Sequence, residues 1–101
     1  MPIDAEKRDH DRKEFVTEAA LESASGKHQS RISDISLGGC YVDSIASAAA
    51  GEPISLTITM GSGESQQFTG EVAYVLPGLG FGIRFTDLTE ERTDFLRKIL
   101  D

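Results

Sequence analysis

The sequence predicts a mostly β protein, a small six-stranded antiparallel barrel followed by one carboxy-terminal helix. Apolar and polar residues alternate with a period of two over several short stretches between about residues 15 and 85, as they do in strands with one buried face. Sequences rich in glycine, serine and proline separate these stretches and predict turns. After the last stretch the apolar period becomes that of a helix. Short strands at regular spacing are typical of small barrels.

The first three strands are predicted in the first half of the chain. One face of the first strand would carry Phe15, Thr17, Ala19 and Leu21, and SASGK would then turn the chain. A second strand is expected from about Lys27 to Ser36, and a short third strand from Gly39 to Asp43.

Three further strands are predicted after the loop SIASAAAGEP. The stretch Pro53 to Met60 alternates most cleanly. One face of a fifth strand would carry Phe68, Gly70, Val72, Tyr74 and Leu76, and the sixth strand, FGIRF, would point Phe81, Ile83 and Phe85 inward. Tyr41 and Tyr74 are both expected to pack inside the barrel.

The last predicted element is a helix that starts after Thr89. A threonine can cap a helix with its hydroxyl, and the acidic pair Glu90 and Glu91 suits the positive amino-terminal end. Apolar residues then recur at helical spacing, namely Phe95, Leu96, Ile99 and Leu100. We expect this helix to pack against the barrel.

The 101 residues are expected to form one domain with a flexible arm in front of it. Residues 1–14 are mostly charged and nearly devoid of apolar side chains, so they cannot bury enough surface to offset the entropy of ordering. Residues 15–101 would form the barrel and its helix.

Charge limits the classes of partner. The chain has 17 acidic and 10 basic residues and a net charge of −7, which argues against DNA, RNA or an anionic membrane as a partner. A small phosphate ligand held by a few arginines stays compatible with this charge.

The sequence predicts a cytoplasmic protein. No apolar run is long enough to insert into a membrane, and the first residues are charged where a signal peptide would be apolar. Cys40 is the single cysteine. We therefore expect no internal disulfide, and no metal site is predicted.

Two short motifs carry the candidate binding residues. The stretch SDISLGGCYV reads as a strand, yet Asp34, Ser36 and two glycines, Gly38 and Gly39, interrupt it with the spacing D-x-S-x-x-G. Glycine weakens a strand, so we expect something to approach the backbone there. In the arm, Arg8 and Arg12 have the spacing R-x-x-x-R.

The two motifs together resemble the PilZ domain family, and the resemblance covers nearly the whole chain. It implies a PilZ-type six-stranded barrel with a carboxy-terminal helix. It further implies a bacterial, non-enzymatic receptor without a cofactor, whose ligand is the second messenger cyclic di-GMP. The ligand-binding residues implied are Arg8, Arg12, Asp34, Ser36, Gly38 and Gly39.

The chemistry of these residues agrees with that ligand. Two guanidinium groups can each bind a phosphate or the O6 and N7 atoms of guanine. Asp34 can accept hydrogen bonds from the Watson–Crick edge of guanine, and Ser36 can donate one to a phosphate or base. Gly38 and Gly39 would leave room for the base above the backbone.

Two functions stay open at this stage. In the first, the ligand docks the arm onto the barrel and the reshaped surface acts on an unidentified effector protein. In the second, the chain is an adaptor that binds proteins without a nucleotide. We expect a monomer when the protein is free, and either one cyclic di-GMP or an intercalated pair as the ligand. A catalytic role for Cys40 with His10 or His28 is disfavoured, because a lone cysteine in a strand is usually a small buried side chain.

Overall fold

A computed structural model describes residues 13–24, 26–44 and 48–100 of the chain. Within these ranges it contains six strands and one helix. The strands are β1 (Lys13–Ser23), β2 (Gly26–Ile35), β3 (Gly39–Asp43), β4 (Pro53–Thr59), β5 (Ser65–Leu76) and β6 (Gly80–Thr86), and the helix α1 is Glu90–Leu100. The predicted fold class is confirmed.

The strands close into a barrel in the order β1-β2-β3-β6-β5-β4, with β1 also pairing with β4. Every neighbouring pair is antiparallel. β1 begins at Lys13, two residues before the predicted start at Phe15. The earlier start has a simple cause, since backbone pairing with β2 does not require an apolar side chain. Residues 1–12 of the predicted arm lie outside the described residues.

The core fills the barrel with the inward side chains of all six strands and three residues of α1. Alternation along β4 is regular, with Ile54, Leu56 and Ile58 buried between half-buried or exposed neighbours. The inward positions predicted for β6 are confirmed, because Phe81, Ile83 and Phe85 are all buried. The full core consists of Ala19, Leu21, Ile32, Ile35, Cys40, Val42, Ile54, Leu56, Ile58, Phe68, Val72, Phe81, Ile83, Phe85, Phe95, Leu96 and Ile99.

Helix α1 begins after the predicted cap. The Thr89 hydroxyl accepts a hydrogen bond from the backbone N–H of Arg92 at 3.2 Å, which satisfies one of the free donors at the helix start. The apolar side of the helix, Phe95, Leu96 and Ile99, is buried. No helix in the described ranges has the length and hydropathy needed to cross a membrane.

One end of the barrel brings together the helix, the start of β1 and the turn between β2 and β3. The Phe95 ring of α1 lies 5.9 Å from the ring of Phe68, near the start of β5, and Lys98 pairs with Glu64 at 2.9 Å. At this same end β6 finishes and β3 begins, because Arg84 lies opposite Gly39. Lys13 lies opposite Ile35. The start of β1, the β2–β3 turn and the helix therefore share one end of the barrel.

Candidate ligand-binding site

Asp34 lies on the outer face of the barrel near the end of β2. Its backbone pairs with Glu14 of β1 and with Tyr41 of β3. The β2–β3 register shifts between Ile32 and Asp34, and as a result Ile32 and Ile35 are both fully buried although they are three positions apart. A bulge of this kind re-aims side chains. It leaves the Asp34 carboxylate half-buried outside the core, where a ligand can reach the strand.

Ser36 shapes the turn between β2 and β3. Its backbone N–H donates to the Gly39 carbonyl at 2.8 Å, and its hydroxyl donates to the same carbonyl at 3.4 Å. The hydroxyl also accepts a hydrogen bond from the Gly38 N–H at 3.2 Å. Ser36 is only 4% exposed. Its first role is therefore to fix the two glycines, and its predicted bond to a ligand stays a prediction.

The close contact between two strands requires glycine at position 39, which the sequence did not reveal. A Cβ atom added at this position would lie 2.0 Å from the backbone oxygen of Ile83 on β6. That distance is far inside van der Waals contact, so β3 and β6 can approach this closely only if residue 39 is glycine. Gly38 adds a second link to β6, because its carbonyl accepts a hydrogen bond from the Phe85 N–H at 2.9 Å. The expected contacts of Gly38 and Gly39 with a ligand stay predictions.

The arginine motif lies outside the described residues, but the strand that follows it does not. Arg8 and Arg12 belong to residues 1–12. Lys13, the residue after Arg12, is paired with Ile35, which stands between Asp34 and Ser36. Residues directly opposite each other in an antiparallel pair are about 4.5–5.5 Å apart. The structure thus places the start of β1 beside the D-x-S-x-x-G motif.

Tyr41 and Tyr74 form an aromatic pair on the outer face of the barrel. From the sequence, both tyrosines were expected to pack inside the barrel. That expectation was wrong for Tyr74, which is 45% exposed. The cause is a register shift between Val72 and Tyr74, since one extra residue turns the rest of β5 to the other face. Tyr41 alternates with the buried Cys40 and Val42 and also points outward.

The two tyrosine rings stack on each other next to Asp34. Their centroids are 6.3 Å apart with an interplanar angle of 25°. Tyr74 lies over Gly82, where a Cβ atom would stand 2.4 Å from the ring. Along the register, Asp34 is opposite Tyr41 and Tyr41 is opposite Gly82. Partial burial, and then the carboxylate of Asp43, raises the pKa of the Tyr41 phenol above its ordinary value.

Two arginines also lie on this outer face, each paired with a carboxylate of the neighbouring strand. Arg31 of β2 pairs with Asp43 of β3 at 3.3 Å. Arg84 of β6 pairs with Glu71 of β5. Both arginine side chains are well exposed, and exposed ion pairs of this kind contribute little to stability.

The structure places the remaining candidate groups away from this face. Cys40 is buried in the core, on the opposite side of β3 from Tyr41. In the part of the chain that the structure describes, no group of three or more histidine, cysteine and acidic side chains is arranged to hold a metal ion.

The chain is similar to known PilZ domains in sequence and in fold. The PilZ domain family matches residues 6–101. No sequence among the curated proteins matches the chain.

Among solved structures, the chain is similar to the PilZ domain of YcgR from Escherichia coli with cyclic di-GMP, with a TM-score of 0.75 and 17% identity over 93% of this chain and 88% of that one. It is also similar to the PilZ domain of CeSA from a cellulose-synthesising bacterium, with a TM-score of 0.68 and 17% identity over 88% and 93% of the two chains. A third similar structure is PlzA from Borreliella burgdorferi in complex with cyclic di-GMP, with a TM-score of 0.65 and 21% identity over 94% of this chain and 41% of that one. At these identities the likeness shows a shared fold.

Proposed function

Since this chain belongs to the PilZ domain family, we propose that it is a receptor for cyclic di-GMP. The structures of YcgR and PlzA with this nucleotide support the assignment of the ligand. Both motifs that the resemblance associates with binding are present, R-x-x-x-R at Arg8 and Arg12 and D-x-S-x-x-G at Asp34, Ser36 and Gly39.

The observation that carries the proposal is the register between β1 and β2. Glu14 lies opposite Asp34 and Lys13 lies opposite Ile35. Arg12 directly precedes Lys13, so it is joined by one peptide unit to a residue already paired beside the motif, and consecutive Cα atoms are about 3.8 Å apart. A ligand bound over Asp34 and the β2–β3 turn would therefore be within reach of an arginine from the arm.

Each residue has a distinct proposed role. Arg8 and Arg12 bind the phosphates or the O6 and N7 edge of guanine through their planar guanidinium groups. Asp34 accepts hydrogen bonds from the N1 and N2 donors of guanine. Ser36 holds the turn, which keeps the backbone of Gly38 and Gly39 in place for the ligand to approach.

The stacked tyrosines supply a flat surface next to the carboxylate. Guanine is planar, and aromatic rings at the outer face favour stacking with a base. Because Tyr41 is directly opposite Asp34, a base read by Asp34 would lie close to the Tyr41 ring.

We further propose that the signal passes to an effector protein through the arm. Ligand held by Arg8 and Arg12 would fasten residues 1–12 against the barrel and change the surface that a partner meets. A second messenger acts inside the cell, so the proposed site of action is the cytoplasm. The alternative is an adaptor that binds its partner without nucleotide, and it predicts a surface that cyclic di-GMP does not alter.

Nucleotide selectivity tests the proposal. If Asp34 reads the guanine edge, the chain should bind cyclic di-GMP at least about tenfold more tightly than cyclic di-AMP, because a lost charge-assisted hydrogen bond costs about 1.5–3 kcal/mol. Calorimetric titrations of both nucleotides in one buffer measure this ratio. The variant Asp34→Asn should lose most of the preference. Equal affinities for the two nucleotides would contradict the role of Asp34, and no binding of either would contradict the receptor function.

A further inference from the structure

Arg84 stands next to the candidate site on the strand that adjoins the glycine turn. Its backbone lies opposite Gly39 of β3 on one side and opposite Glu71 of β5 on the other. Its neighbours in sequence, Ile83 and Phe85, are buried in the core, so the Arg84 side chain points out of the barrel. It is 60% exposed and its guanidinium is paired with the Glu71 carboxylate.

The side of Arg84 that faces the site is open. Gly39 carries no side chain, and the Cα atoms of opposite residues in antiparallel strands are about 4.5–5.5 Å apart. The turn at Gly38 is also tied to this part of β6 by the hydrogen bond between the Phe85 N–H and the Gly38 carbonyl. The long Arg84 side chain could therefore reach a ligand bound over the turn.

We infer that Arg84 is a third phosphate-binding arginine of the proposed cyclic di-GMP site, and that ligand binding transfers its guanidinium from Glu71 to a ligand phosphate. The inference rests on the proposed function. An exposed ion pair contributes little to stability, so the guanidinium can leave Glu71 at small cost. A guanidinium bound to a phosphate through two parallel hydrogen bonds is a stronger arrangement.

Charge near the turn supports this assignment. Cyclic di-GMP carries two phosphodiester charges, whereas Asp34 and Glu71 on this face are acidic. Two arginines are described on the outer face of β2, β3, β5 and β6, namely Arg31 and Arg84. Arg31 lies opposite Asp43, at the other end of β3 from Gly39. Of these two, Arg84 is the arginine near the turn that can offset the ligand charge, and Arg31 serves as its control.

Titration of three variants with cyclic di-GMP tests the inference. Arg84→Ala should weaken binding by about tenfold to a hundredfold, as expected for one charge-assisted contact. Glu71→Gln should tighten binding by about twofold to fivefold, because it removes the competing carboxylate of an exposed pair. Arg31→Ala removes the same charge from the same face and should leave the affinity close to that of the unchanged protein. The melting temperature of each free variant shows whether it is folded.

The outcomes separate this inference from the function on which it rests. If the unchanged protein does not bind cyclic di-GMP, the proposed function is wrong and the inference with it. If the unchanged protein binds and Arg84→Ala binds as Arg31→Ala does, only the role of Arg84 is overturned. Should Arg84→Ala fail to fold, Glu71→Gln decides the matter: tighter binding supports the exchange of partners, and unchanged or weaker binding overturns it.

Discussion

Replacing Arg8 and Arg12 together with alanine should weaken the binding of cyclic di-GMP by about two to four decades, since each charge-assisted pairing contributes about 1.5–3 kcal/mol. The same change should leave the melting temperature of the free protein nearly unchanged, because both residues precede the first described strand, which begins at Lys13. Ligand at a hundred times its Kd normally stabilises a protein by about 2.7 kcal/mol. That stabilisation should disappear in the double variant.

The control is Lys7→Ala, which removes a positive charge from the same stretch of sequence and should keep most of the affinity, because Lys7 lies outside the R-x-x-x-R motif. A shortened chain that starts at Lys13 should behave as the double arginine variant does. Loss of folding on removing residues 1–12 would mean that the arm is structural, and the adaptor would then be the better account.

Gly39→Val should destabilise the barrel itself by about 3 kcal/mol, a large share of the stability of a small domain. The physical reason is the Ile83 carbonyl oxygen, which stands 2.0 Å from where the Cβ atom would be. Both groups are backbone or attached directly to it, so no side-chain rotation relieves the clash. Strands β3 and β6 would have to separate at the barrel end that holds the site. Thermal or denaturant unfolding of the free protein measures the effect.

Gly61→Ala is the control for this change. Gly61 lies between β4 and β5 with open space where its Cβ would be, so this variant should melt close to the unchanged protein. The sequence had suggested a different role for Gly39, that of leaving room for a guanine base. A Gly39→Val protein with unaltered stability that fails to bind cyclic di-GMP would favour that earlier interpretation over the strand contact.

The fold could be predicted from the sequence because its signals are local. The strict alternation of Pro53–Thr59 follows from one face being buried along a single strand. The start of α1 follows from the hydroxyl of Thr89 and the backbone of Arg92, which are three residues apart. Interactions of this range leave a pattern in consecutive residues, and such a pattern is visible in one sequence.

For the candidate site, the sequence indicates unusual residue types but not their geometry. Asp34 and the glycines were recognised as unusual in a strand, yet the contact between Gly39 and Ile83 joins residues more than 40 positions apart. Similarly, the sequence around Tyr74 does not indicate the shift in register against β6 that turns the Tyr74 side chain outward. Such features depend on how two distant strands align, and alternation within one strand carries no information about that alignment.

Hydrogen exchange of backbone amides with and without cyclic di-GMP tests the central claim most directly, because it reports where the ligand acts. We expect the amides of residues 1–12 to exchange rapidly in the free protein and to become protected when the nucleotide is added. Protection should increase at the same ligand concentration in the turn from Ser36 to Gly39. Protection of both segments together is the result that a ligand held between the arm and the turn predicts. Binding that protects neither segment, or an arm that is already protected without nucleotide, would contradict it.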